Sequence, residues 1–296
     1  NGSKQKRQLI NYGYYHGYKG YRFFKKSSNS IPFSDFDEIV SVIKFDNELK
    51  ALLYPKIMFI ETATKNIVID AVVKDMKDVS FDGIYKKKMN DDPGNRVKRT
   101  KRLKLRDSIH TSISWKYKNK DSMISHFYDR GDDIPIWAIF ETITFGTLAN
   151  FINCLDSVTR EELLTSMDML SSTDTERQLL SNTLFALSGL RNAVAHNNIV
   201  FDCRFEDRKI SRNVIAWLNG ELDMKKITFN YLVDYFCLIC CFLKHLGCEK
   251  DEVLCFIHSY EAMIDKLHRS IASNIYMKIV SSDVNSKLEV LKNNLK

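Results

Sequence analysis

Apolar residues recur at helical spacing through most of the 296-residue chain. Ile39, Val42, Ile43, Leu49, Leu52 and Leu53 fall on one helix face, and Ile57, Ile60, Ala63, Thr64, Ile67 and Ala71 form a second stripe. Ser34 with Asp37 reads as a capping box with Asp in the place of Glu, and Pro55 is expected to kink or divide the run. Glu61 and Lys65, spaced i,i+4, are expected to pair on the surface. Helical patterning returns at 135–155 and 159–170. A further helix, capped by Thr173 or Asp174, carries Leu179, Leu180, Leu184, Leu187 and Leu190 on one face and stops at Asn197-Asn198. A cysteine-rich apolar run (229–247) and an amphipathic run (249–271) complete the pattern.

Two stretches break it. Residues 11–26, "NYGYYHGYKGYRFFKK", alternate Tyr with Gly and cations and are too Gly-rich for a stable helix. They read as an irregular or hairpin-like arm, either packed on the domain or presenting Tyr18, Tyr21 and Arg22 as rings and cations for RNA bases. Residues 82–120 are polar and basic, with a turn signal at Asp91-Asp92-Pro93-Gly94. The scarcity of Gly (11) and Pro (4) fits long helices. The expectation is an all-α fold: an arm over 1–33 and one helical domain over 34–296 with a basic insertion at 82–120.

The net charge of +7 is concentrated in that insertion. Between Lys86 and Lys120 thirteen Lys or Arg face three Asp, which leaves the rest of the chain near −3. Arg96, Lys98, Arg99, Lys101, Arg102, Lys104 and Arg106 crowd into eleven residues behind Lys86, Lys87 and Lys88. Like charges repel, so a strip this dense suits phosphate binding better than plain solvation. RNA is the expected partner.

Seven cysteines, an odd number mostly inside apolar runs, point to free thiols in a reducing cytoplasm, and no signal peptide opens the chain. The 229–247 run approaches the length of a membrane span, but Asp234 and Lys244 favour a buried core helix. Cys237, Cys240, Cys241, His245 and Cys248 are metal-ligand types on one continuous helix, without the turn that brings zinc ligands together. No metal or cofactor is expected, and P-loop, GxGxxG, HExxH and GxSxG motifs are absent from the sequence.

The segment 188–201, "SGLRNAVAHNNIVF", places Arg191, Asn192 and His196 at the end of an apolar helix. Asn192 and His196 stack on one face, while Arg191 projects about 100° away and must reach round or meet its histidine across a dimer. The three residues read either as a polar helix end or as a kit for phosphodiester cleavage. Imidazole moves a proton near neutral pH. Guanidinium holds a nonbridging oxygen and stabilises charge on the pentacoordinate transition state. With RNA the 2′-hydroxyl is the nucleophile, so no metal is required. One such site supplies a single imidazole, whereas two copies across a two-fold axis supply both acid and base. A homodimer is therefore expected. The near miss "RDSIH" at 106–110 shows how cheaply such short patterns arise.

"LRNAVAHNN" resembles the Arg-polar-x(3–5)-His motif of HEPN ribonucleases. Four stretches in order resemble the Abi family of bacterial abortive-infection proteins. They are the Tyr-rich opening (10–24), "FDEIVSVIKFDNELKALLYPKIMFIETATKN" (36–66), "IPIWAIFETITFGTLANFI" (134–152), and the motif itself. The chain departs from the pattern at Asn197, where a second His often stands, and at His16-Gly17, where Arg-Leu often stands. The resemblance implies a HEPN-like helical bundle, dimerisation, and metal-independent RNA cleavage that arrests growth during phage infection, with Arg191, Asn192 and His196 as the site. It also implies a small structured RNA as an antitoxin in some members. The alternatives are an RNA-binding helical protein in which the motif is structural, and a helical interaction protein with neither activity.

Overall fold

The computed structural model describes residues 2–89, 94–206, 209–224 and 226–295; the turn signal at Asp91 to Pro93 lies outside them. Among the described residues the fold is all-α. In chain order the helices are α1 (Gly2–Tyr12), α2 (Phe36–Val73), α3 (Phe81–Lys87), α4 (Arg96–Lys118), α5 (Ser122–Tyr128), α6 (Ile136–Thr142), α7 (Phe145–Cys154) and α8 (Ser157–Ser166). They continue as α9 (Leu179–Ala195), α10 (Arg212–Glu221), α11 (Leu232–His245), α12 (Lys250–Ser270), α13 (Ser273–Ile279) and α14 (Val284–Asn294), with a π-helical segment at Gly13–Lys19. The chain divides into two compact units, Asn1–Ile60 with Gly189–Lys296, and Glu61–Ser188.

The first unit is built round α11. All of Leu232–Leu243 is buried, so this helix is apolar on every side, and α10, α12 and α14 pack against it. Phe236 stacks between Phe256 and Tyr260 of α12, with ring centroids 4.5 and 4.2 Å away. Asp234, fully buried within this apolar run, accepts Lys287 Nζ of α14 at 2.6 Å and the backbone N–H groups of Thr228 and Phe229. Burial is tolerated because both carboxylate oxygens are hydrogen-bonded and the charge is paired. The helix is 14 residues long, and no helix among the described residues is long and apolar enough to cross a membrane. The helices α13 and α14 lie beyond the last run that the pattern predicts, although Val284, Leu288 and Leu291 carry a short apolar stripe.

The arm is more ordered than its glycines suggest. Residues 13–19 form a π-helix, and the chain then closes through an antiparallel bridge between Phe23 and Ser30, so the hairpin-like expectation holds only for its second half. The π-helix depends on Gly17: a Cβ there would come within 2.6 Å of the Tyr12 carbonyl oxygen. Pro55 does not divide α2, which continues through it; the missing N–H leaves one carbonyl of the preceding turn without its helical donor. The start of α2 is capped one residue later than expected. Asp35 accepts Glu38 N–H at 3.0 Å, and the Glu38 carboxylate reaches back to Ser34 N–H at 2.8 Å.

In the second unit α4 buries Leu105, Ile109 and Ile113 against α6 and α7. The 135–155 run is two helices, because Thr144 starts α7 by accepting Thr147 N–H at 3.2 Å. Phe140 and Phe151 meet edge to face at 4.9 Å. Glu61 and Lys65 do pair, at 3.2 Å, but Glu61 is buried rather than on the surface, and Lys65 also donates to the Ile143 carbonyl. Of the two candidate caps for the Leu-rich helix, Asp174 is used. Its carboxylate accepts Gln178 and Leu179 N–H at 3.1 and 2.7 Å.

Candidate functional site

The helix that carries the motif ends where the Asn pair falls. Asn197 takes φ +55°, Asn198 N–H donates to the Ala193 carbonyl at 2.7 Å, and Asn197 N–H donates to Val194. This is a Schellman closure, with Asn standing where Gly is commonest. It leaves His196 as the last residue before the reversal. Leu190, Ala193 and Val194 are buried, whereas Asn192 and His196 are exposed and Arg191 is half-buried. The apolar face of α9 therefore fixes the backbone, and the polar trio projects from it.

Arg191 reaches round the helix as its length allows. Its Nη1 lies 3.5 Å from Asn192 Oδ1, the outer limit of a hydrogen bond. His196 N–H donates to the Asn192 carbonyl at 3.0 Å, so the two residues are one helical turn apart on the same side. The guanidinium, the amide and the imidazole are thus brought to one helix end.

Immediately past the motif, a cavity of about 480 Å³ opens in the first unit. Its walls include His16 and Gly17 of the π-helix, Asn47 and Lys50 of α2, and Asn197 and Asn198. Arg191, Asn192 and His196 are not among its lining residues; the cavity begins one residue beyond the histidine. Its floor is an interlocked set of polar contacts. The buried Asp46 carboxylate accepts the Tyr21 hydroxyl at 2.7 Å and the N–H groups of Val200 and Phe201 at 2.8 and 2.7 Å. Lys50 pairs with Asp46 at 3.1 Å and donates to Asn197 Oδ1 at 2.7 Å. Burial and the Asp46 charge push the Tyr21 hydroxyl far above its ordinary pKa, so it remains a neutral donor. Arg204, also on the wall, is held by Asp202 and by the Gly20 and Phe23 carbonyls. The cations here are matched by carboxylates, and Asn47, Asn197, Asn198 and His16 are exposed polar residues of the lining. The sequence marks His16 only as a departure from the family pattern, and it carries no signal for Asn47 or Lys50. Only the fold brings the arm and α2 beside Asn197.

The RNA-binding candidates divide by environment. Tyr21 is 5% exposed and stacks on Phe201, so its ring is committed to packing. Tyr18 is half-buried between Tyr14 and Phe36, with exposed Arg22 over its ring at 5.4 Å. Tyr14 and Tyr15 are the outward rings of the arm, with Lys19 Nζ 5.0 and 5.1 Å from their centroids. The basic strip is helical, so its cations spread round α4 rather than lining one face. Arg96, Arg99, Lys101, Lys104 and Arg106 are exposed; Lys98 and Arg102 are half-buried. Arg102 lies flat on Tyr85 at 4.4 Å and donates to its carbonyl, and Arg106 pairs with Asp82 at 3.3 Å. Lys86 and Lys87 are exposed at the end of α3, and Lys88 is half-buried after it.

The cysteines belong to the core. Cys237, Cys240 and Cys241 are buried on α11, where burial raises the first two thiols well above their ordinary range and the third to about 12. Among the described residues no group of three or more His, Cys, Asp or Glu is placed to hold a metal.

The chain matches the Abi-like protein family over residues 7–202, a span that holds most of the arm, the basic insertion and the motif helix. No curated protein and no solved structure matches it. By that match the chain belongs to the Abi-like protein family.

Proposed function

We propose that this Abi-like protein is an abortive-infection effector: a metal-independent HEPN-type endoribonuclease that cleaves RNA by 2′-hydroxyl transesterification. The observation that carries the reading is the convergence of Arg191, Asn192 and His196 at one solvent-facing helix end, with Arg191 folded back to the Asn192 amide. His196 removes the 2′-hydroxyl proton or donates one to the leaving oxygen. Arg191 stabilises the nonbridging oxygens as the 2′-oxygen attacks phosphorus and the bond to the 5′-oxygen breaks. The 2′-oxygen–phosphorus bond forms as the phosphorus–5′-oxygen bond is lost, which leaves a 2′,3′-cyclic phosphate and a 5′-hydroxyl. Each chain offers one motif imidazole, so a homodimer with a composite site supplies acid and base together. The neighbouring amide-rich cavity suits the nucleotide beside the scissile bond, and a small structured RNA is the class of inhibitor that the exposed cations of α4 would hold.

The test is end-group analysis of RNA treated with the purified protein in excess chelator. The expected products carry a 2′,3′-cyclic phosphate and a 5′-hydroxyl, and one 2′-deoxy substitution at the cut site abolishes cleavage there. Products with a 5′-phosphate, or equal cutting of the deoxy substrate, would refute the mechanism. A second reading, RNA binding without cleavage, rests on the seven cations of residues 96–106 on α4. It predicts retention of RNA with no products at all.

A further inference from the structure

Arg160, in the first turn of α8, is 5% exposed, and its Nε is enclosed without a hydrogen-bond partner. Among the described residues its guanidinium makes no side-chain hydrogen bond and no ion pair. The carboxylates nearest to it in effect are Glu176, Asp156 and Asp174. Two of these are committed to helix starts: Asp156 accepts Thr159 N–H and hydroxyl, and Asp174 accepts Gln178 and Leu179 N–H. Burial therefore dominates at Arg160 and holds its pKa below the ordinary arginine value. A guanidinium does not escape this cost by losing its proton, and a buried cation held only by carboxylates acting at a distance, with no direct ion pair, keeps much of it.

Arg160 lines a cavity of about 50 Å³ within the second unit, together with Lys98, Lys101 and Arg102 of α4, Asn153 and Gln178. The buried Cys154 thiol on the same wall lies within the field of Lys101, Arg102 and Arg160. At roughly 10–15 Å³ per water this space admits a few waters, and so one phosphate group rather than a whole nucleotide. Four cations and two amides about so small a space form a donor set for a tetrahedral dianion.

We propose that this cavity is a phosphate-binding subsite in which Arg160 is the buried anchor and Lys98, Lys101 and Arg102 are the outer cations. The phosphate belongs to an RNA backbone or to a small free phosphate compound. The backbone source rests on the RNA reading above; the subsite itself does not.

Thermal unfolding of wild-type, Arg160→Met and Lys101→Met protein with and without inorganic phosphate tests it, alongside binding of a short single-stranded RNA in a His196→Ala background. Phosphate is expected to raise the wild-type Tm and not that of Arg160→Met. Without phosphate, Arg160→Met is expected to be at least as stable as wild type, because it removes a buried charge that makes no direct ion pair. Lys101→Met, on an exposed position, is expected to weaken the phosphate response and keep the fold. If RNA is the source, Arg160→Met lowers RNA affinity several-fold and reduces the salt slope by about one. A phosphate response with unchanged RNA affinity assigns the subsite to a small phosphate compound. An equal phosphate response in all three proteins, or none in wild type, overturns the proposal. Neither readout involves cleavage, so loss of the ribonuclease reading leaves it standing, and the reverse.

Discussion

Lys50 Nζ donates to Asn197 Oδ1 at 2.7 Å, which ties α2 to the residue directly after the motif histidine across 147 positions of sequence. The same lysine pairs with Asp46, which in turn holds the N–H groups of Val200 and Phe201. The turn that follows His196 is thus fixed by two residues one turn apart on α2. Its geometry does not depend on the local sequence alone.

The hub of that arrangement is Asp46. Asp46→Ala strands Lys50, the Tyr21 hydroxyl and two backbone N–H groups in the interior. A loss of about 3–5 kcal/mol is expected in urea unfolding. Tyr21→Phe removes one of the four partners and is expected to cost about 1 kcal/mol. Equal costs for the two variants would show that Asp46 is not the organising group.

Asn197 combines two roles that substitution separates. Its φ of +55° favours Gly over other residues, while its side chain receives the Lys50 bond. Asn197→Gly and Asn197→Ala both lose the bond, but only Ala strains the backbone. Ala is expected to be less stable than Gly by about 1 kcal/mol in the same assay. Identical stabilities would remove the left-handed cap from the account.

Thiol chemistry reports the core. Alkylation of the native protein is expected at exposed Cys255 and more slowly at half-buried Cys248. Cys154, Cys203, Cys237, Cys240 and Cys241 are expected to label only on unfolding. Peptide mapping after brief iodoacetamide treatment distinguishes them. Rapid labelling of Cys237 or Cys240 in the folded protein would contradict the buried placement of α11.

The exposed cations of α4 are separable from its packed ones. Reversing Arg99, Lys101 and Lys104 to Glu is expected to weaken RNA binding and flatten its salt dependence while leaving the fold intact. Reversing Arg102 adds a structural cost, because it loses its place on Tyr85. Unchanged RNA affinity in the exposed triple variant would take α4 out of RNA recognition.

Periodicity alone makes the helical class legible, because Leu179, Leu180, Leu184, Leu187 and Leu190 mark one face and all are buried. The end of that helix was legible as well, since Asn tolerates the left-handed conformation that a Schellman closure needs. The arm was not. Its glycines argue against a helix, yet at Gly17 the absent Cβ is what lets a π-helix close. The continuity of α2 through Pro55 was hidden for a related reason, because tertiary packing outweighs one lost hydrogen bond. The site was legible only as far as its local residues. Arg191, Asn192 and His196 are neighbours in sequence, whereas His16, Asn47 and Lys50 reach the adjoining cavity by folding. Arg160 carries no motif; its burial without a direct ion pair is visible only in three dimensions.

The most direct measurement of the central claim is RNA cleavage by His196→Ala beside wild type, both in chelator and both checked for RNA affinity. Wild type is expected to cut, whereas the variant is expected to bind RNA equally well and to yield no 2′,3′-cyclic phosphate ends. Cleavage by the variant at the wild-type rate would contradict the assignment of His196, and with it the ribonuclease site at the end of α9.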